Sequence, residues 1–93
     1  MNIKKTTAKD FEIIPGIGKK LSQELIDLGY RKVSKLRGEN PETMYQNLMT
    51  LRGHHIDRCV LYVFRCAVYF ASHSTHEAKL LKWWSWKDKN ESN

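Results

Sequence analysis

No CxxC pair, no HExxH helix and no tight acidic cluster occurs in the sequence. Their absence removes the common zinc sites and the metal-dependent nuclease chemistry that needs converging carboxylates. No nucleophile, base and orienting group can be assembled from what remains, so neither a catalytic residue nor a cofactor is expected. Long apolar runs are missing as well. The longest, Cys59 to Ala71, spans thirteen residues and is interrupted by Arg65. That is short of the roughly 20 that cross a bilayer, and no membrane partner is expected. The two cysteines, Cys59 and Cys66, fall on one expected helix with Cα atoms about 10 Å apart. This exceeds the disulfide reach of roughly 7 Å, and both read as reduced core residues. Without a repeat, a low-complexity tract or a linker, the 93 residues read as a single domain, 1–93, ordered over about 7–88.

What is present is positive charge. The chain carries 16 Lys and Arg against 10 Asp and Glu, a net +6 with a pI near 9.5. Residues 1–38 hold nine basic residues against four acidic ones, and residues 39–93 hold seven against six. Nearly all the excess therefore lies in the first part of the chain, and points to an acidic partner there. Met1 to Lys5 is basic like the start of a secretory leader, but Thr6 to Asp10 occupy the place of its apolar run. A cytoplasmic protein without a signal peptide is expected.

The basic part contains Ile14-Pro15-Gly16-Ile17-Gly18-Lys19-Lys20. Two glycines flanking one apolar residue can take positive φ, and without Cβ they admit a partner close to the backbone. A helix beginning just after them adds unpaired N–H groups and the positive end of its dipole. Together these favour an anion such as phosphate, and Lys19 and Lys20 bring mobile charge to the same point.

Helical spacing organises the rest. Thr6 or Thr7, with Asp10 three or four residues on, starts a first helix carrying Phe11, Ile13 and Ile14 and ended by Pro15. Leu21, Leu25, Ile26 and Leu28 predict a second from about Lys19 to Leu28, closed by Gly29 with Tyr30 packing back. Val33 and Leu36 mark one short turn before Gly38. Asn40 and Pro41 are an N-cap and a first-position proline, opening a helix with Met44, Tyr45, Leu48 and Leu51 that stops near Gly53. From Ile56 to Ala71 almost every residue is apolar, and the length favours a buried central helix over a strand. Ser74 and Glu77 form a capping-box pattern for a last helix through Ala78, Leu80, Leu81, Trp83, Trp84 and Trp86. From Asp88 onward the chain is polar and is expected to fray. The predicted class is all-α, a compact bundle of five or six short helices.

The pattern Phe11-x-x-Ile14-Pro15-Gly16-Ile17-Gly18-Lys19-Lys20-Leu21-Ser22-x-x-Leu25, followed by Leu28-Gly29, resembles the helix-hairpin-helix motif of DNA-binding proteins. The resemblance implies that Gly16, Ile17 and Gly18 serve amide donation and packing, and that Lys19 and Lys20 hold flanking phosphates on the minor-groove side of a duplex. Ser22 stands where that family usually has Ala. A second copy would fall at Leu51-Arg52-Gly53-His54-His55-Ile56, which lacks the second glycine. Arg52, His54 or Arg58 would then reach phosphate, with Lys32, Lys35 and Arg37 as a peripheral basic rim. Over nearly its whole length the chain also resembles the small bacterial pathogenicity-locus family, some of whose members are labelled mitomycin resistance proteins. The residues that carry this begin with Ile14-Pro15-Gly16-Ile17-Gly18 and Leu28-Gly29. They continue through Asp57-Arg58-Cys59-Val60-Leu61-Tyr62-Val63-Phe64-Arg65-Cys66-Ala67-Val68-Tyr69-Phe70 and Leu80-Leu81-Lys82-Trp83-Trp84-x-Trp86-Lys87-Asp88. What it implies is a compact helical domain with DNA binding and no settled activity, and the label would fit a role near damaged DNA.

Two further groups need weighing. Trp83, Trp84 and Trp86 would serve as a stacking platform for splayed bases, with Lys82 and Lys87 on the backbone, or as core. On a helix Trp83 and Trp86 share a face and Trp84 points about 100° away, so two are expected in the core and one is left for a partner protein or a second copy of the chain. His55 with Cys59, and His73 with His76, have chelating spacings, but the pairs lie at opposite ends of a helix of about 25 Å, and no metal site is expected. The expected function is non-sequence-specific binding of duplex DNA through its backbone. The alternative is a protein-interaction or dimerisation module using Trp84 and the apolar edge of the last helix.

Overall fold

The computed structural model describes residues 7–88. They form three α-helices, α1 (Lys19–Asp27), α2 (Pro41–Arg52) and α3 (Arg58–Ser72), with 3-10 turns at Ala8–Asp10, Val33–Leu36, Ala78–Leu81 and Trp83–Trp86. No strand occurs among the described residues. The all-α class holds, and the expected five or six helices become three α-helices and four tighter turns.

The first correction lies at the start. The amides of Asp10, Glu12 and Ile14 donate to the carbonyls of Thr7, Lys9 and Phe11 at 3.0, 3.3 and 3.0 Å, each three residues back. So few residues before a proline do not offset the nucleation cost of an α-helix. The tighter winding aligns residues three apart, which buries Phe11 and Ile14 together and leaves Ile13 exposed. Thr7 opens the turn as expected, its N–H donating to Asp10 Oδ2 at 2.7 Å; Thr6 lies outside the described residues.

The three α-helices follow their end signals. α1 closes when the amides of Gly29 and Tyr30 reach the carbonyls of Ile26 and Leu25 at 2.9 and 3.1 Å, a Schellman motif. α2 opens on Asn40, whose side-chain oxygen accepts from the Glu42 and Thr43 amides at 2.9 and 3.3 Å. α3 starts at Arg58 rather than at the expected Ile56, because the Asp57 carboxylate caps it by accepting from the Cys59 amide at 2.8 Å. That bond holds Asp57 below the usual carboxylate range.

α3 is central. It packs against α2, the Val33–Leu36 turn and both C-terminal turns, and its Leu61, Phe64, Cys66 and Ala67 are fully buried with Phe11, Ile14, Leu25, Leu36 and Leu48. Cys66 is a core residue whose thiol burial pushes up. Cys59 is exposed, contrary to expectation.

The last helix does not form as one piece. Lys82, extended at φ −101° and ψ 119°, breaks it into two turns. The Ser74–Glu77 box is unused, since the Glu77 amide donates to the Tyr69 hydroxyl at 2.8 Å. A helix would commit the Leu80 carbonyl to an amide four residues on. Instead it accepts from Trp86 Nε1 at 2.9 Å and Cys66 Sγ at 3.5 Å, while the Trp86 carbonyl accepts from Arg65 Nη1 at 2.7 Å. The segment runs back along α3 to Asp88, which meets Arg58 at 2.6 Å, Arg65 at 2.9 Å and the Tyr62 hydroxyl at 3.2 Å. Asp88 is thus an anchor rather than the start of a frayed end; residues 89–93 lie outside the described residues. Trp83 and Trp86, three apart on a 3-10 turn, both pack against the core, and Trp84 remains 53% exposed.

Candidate functional site

The hairpin is a tight turn joined to a helix start. Ile17 N–H donates to Ile14 O at 3.1 Å, with Pro15 second and Gly16 third at φ 86°, the pattern of a type II turn. Gly16 is required by that positive φ, and a Cβ there would also stand 3.4 Å from Trp83 Cδ1. The Ile17 side chain is only 5% exposed. Its amide is spent inside the turn, so Ile17 serves packing and not donation to a ligand.

Gly18 is different. It lies at φ −101° and ψ −163° as the N-cap of α1, an extended conformation open to any residue. Nothing stands within 4 Å of the place its Cβ would take. Of the two glycines that could take positive φ, only Gly16 does. No side chain caps α1 and no acidic residue occupies its first turn. The amides of Gly16, Gly18, Lys19, Lys20 and Leu21 therefore have no intrachain acceptor among the described residues. Lys19 and Lys20 are exposed at the same helix end, and the positive end of the dipole is unmatched. Backbone donors with two mobile cations beside them are an arrangement chemically suited to an anion.

A family model for the pathogenicity locus, Cdd1, matches residues 4–92. The chain belongs to the pathogenicity locus family. The match takes in both the hairpin and the tryptophan segment that closes on it. No curated protein and no solved structure matches the chain.

In this family member the other candidate contacts are placed unevenly. Lys32, Lys35 and Arg37 are exposed around the Val33–Leu36 turn, which is tied to the far end of α3 where the Gly38 amide donates to Ser72 Oγ at 3.0 Å. Arg52 is engaged within the chain. Its guanidinium braces α2 against α1, bonding Glu24 through Nε at 3.1 Å and through Nη2, and Asp27 at 2.5 Å. Bonds from Arg52 and then Gln23 hold the Asp27 carboxyl below its ordinary range. His54 is exposed, with Nδ1 2.8 Å from the His55 carbonyl. Where a second copy would fall, Gly53 offers no equivalent donor, because its amide caps α2 by donating to Met49 O at 2.8 Å. Arg58 is engaged by Asp88.

The contact of Trp83 with Gly16 is the feature that sequence spacing missed, for the two lie on separate elements with no shared periodicity. Trp84 extends from it: its ring meets that of Trp83 edge-on at 5.7 Å and 87°, with Lys82 Nζ 5.9 Å from its centroid. A cleft of about 720 Å³ elsewhere is lined by Glu42, Arg65, Tyr69, Trp86 and Asp88. Its guanidinium is committed to Glu42, Asp88 and the Trp86 carbonyl. His73 packs on Tyr69 and His76 stacks on Phe70, and among the described residues no three His, Cys, Asp or Glu groups converge.

Proposed function

We propose that the protein binds duplex DNA through its phosphate backbone, on the minor-groove side and without sequence preference. In this reading the amides of Gly16, Gly18 and the first turn of α1 cradle one phosphate, as in a helix-hairpin-helix site, and Lys19 and Lys20 hold its neighbours. The observation that carries the reading is Gly18. Its backbone angles do not require glycine and nothing within the chain crowds its Cβ position; beyond its suitability as an N-cap, a missing Cβ there admits the close approach of something outside the chain. The uncapped, acid-free start of α1 and the excess of Lys and Arg in residues 1–38 support an anionic occupant. Lys32, Lys35, Arg37 and His54, all exposed, form the outer rim.

Contacts of this kind carry no direct sequence information. With two to four phosphates neutralised, the affinity is about micromolar and falls with salt at a log-log slope of about 0.9 per phosphate. The test is a fluorescence-anisotropy titration of a short duplex at two salt concentrations, with wild type and with the double variant Lys19→Glu, Lys20→Glu. Wild type is expected to bind with steep salt dependence and the double variant not to bind. Binding indifferent to salt, or unchanged in the variant, refutes the cradle. No binding by wild type at roughly tens of micromolar points instead to the interaction or dimerisation module, with Trp84 at its contact.

A further inference from the structure

Trp84 has no role in the core. It is 53% exposed, and the other large apolar side chains as exposed among the described residues, Ile13 and Leu51, belong to other elements. Its position is nevertheless fixed relative to the hairpin. Trp83 is seated against Gly16 and the core, and Trp84 packs edge-on to Trp83. A Cβ built on Gly16 would stand 3.4 Å from Trp83 Cδ1, and the Trp83 and Trp84 ring centroids are 5.7 Å apart. At about 3.4 Å per nucleotide along one strand, the indole lies within a few nucleotides' length of a phosphate held at the hairpin.

We propose that Trp84 receives an unpaired base by stacking, so that the preferred ligand is DNA with an unpaired nucleotide beside a duplex. The proposal rests on the phosphate-cradle reading above and names its substrate class. Lys82, exposed and 5.9 Å from the ring centroid, sits at the outer limit of a cation–π contact of about 6 Å. It yields the ring to a base and moves to the adjoining phosphate. Charge complementarity selects the occupant: Lys19, Lys20 and Lys82 suit a polyanionic strand. Stacking on an indole is tolerant of base identity, in keeping with a site that reads no sequence.

The experiment compares a blunt duplex with the same duplex carrying a one-nucleotide gap and with one carrying a single-stranded overhang, titrated with wild type, Trp84→Ala and Trp84→Phe. Wild type is expected to favour the gapped and overhanging forms. Trp84→Ala should lose about tenfold on those forms and bind the blunt duplex as before, while Trp84→Phe, which keeps an aromatic face, retains most of the preference. The exposed position leaves the fold intact in both variants, checked by thermal melting. Duplex binding by wild type without any preference overturns this proposal alone, as does a preference that survives Trp84→Ala. Binding to none of the DNAs overturns the cradle reading, and this one with it.

Discussion

Replacing Gly18 by Ala separates what the hairpin does for the fold from what it does for a ligand. At φ −101° and ψ −163°, with nothing within 4 Å of the new methyl, alanine is neither strained nor crowded. A compatible Gly→Ala change stabilises by about 0.4–1 kcal/mol through the unfolded chain, and the poorer N-cap takes back a similar amount. The net effect is within about 1 kcal/mol, a Tm shift of no more than about 8 °C. In the proposed cradle a ligand phosphate would meet the methyl directly. Each charge-assisted bond lost is about 1.5–3 kcal/mol, so Kd rises at least about tenfold. Gly16→Ala should do the opposite to the fold. Its φ of 86° costs alanine about 1–2 kcal/mol, lowering Tm by about 5–15 °C, and the 3.4 Å approach to Trp83 Cδ1 adds only a close contact. The assay is thermal melting beside duplex anisotropy at one fixed salt concentration. If Gly18→Ala melts near wild type and also binds DNA like wild type, the amide cradle is wrong.

Three other outcomes are expected. Ser22 is fully buried on α1 and its Oγ has no hydrogen-bond partner among the described residues; Ser22→Ala removes that cost and adds helix propensity, stabilising by about 1–3 kcal/mol, and a lower urea midpoint would show that the hydroxyl has a partner after all. Bonds from Arg58, then Arg65, bring the Asp88 carboxyl from 3.8 to about 2; because the folded value is depressed, its contribution is complete above the unfolded value and is lost as pH falls from about 4 to about 2. Urea midpoints over that range should drop more in wild type than in Asp88→Asn, and parallel curves would unlink the two. Arg52→Ala leaves Glu24, buried to 9% exposure, without its partner, so Tm should fall while the salt slope of DNA binding stays unchanged; a shallower slope would return Arg52 to the DNA contacts.

The parts of the fold legible in the sequence are those fixed by local chemistry. Asn40, Pro41, Gly29 and Tyr30 satisfy helix-end groups from within a few residues, and such bonds can be read from spacing. The first and last helices were misread because local signals there are outweighed. Pro15 leaves too few residues to sustain an α-helix, and the Leu80 and Trp86 carbonyls are claimed by Trp86, Cys66 and Arg65 side chains. Asp57 caps α3 from inside the stretch that the apolar pattern extends back to Ile56. At the candidate site the hairpin was legible as a motif, since Pro15 and Gly16 specify their turn. The division of labour inside it was not: Ile17 donates inward, and Gly18 needs no special φ. The Arg52 brace likewise depends on how α1 and α2 meet, which no single-helix pattern contains.

The seating of Trp83 on Gly16 also bears on how the molecule is made. During synthesis the basic hairpin leaves the ribosome long before the tryptophan that backs it. Contacts so distant in sequence form late, after the intervening chain has been ordered. The nascent chain therefore displays its lysines before Trp83 is in place behind Gly16, and the hairpin gains its backing only when the C-terminal turns fold back along α3.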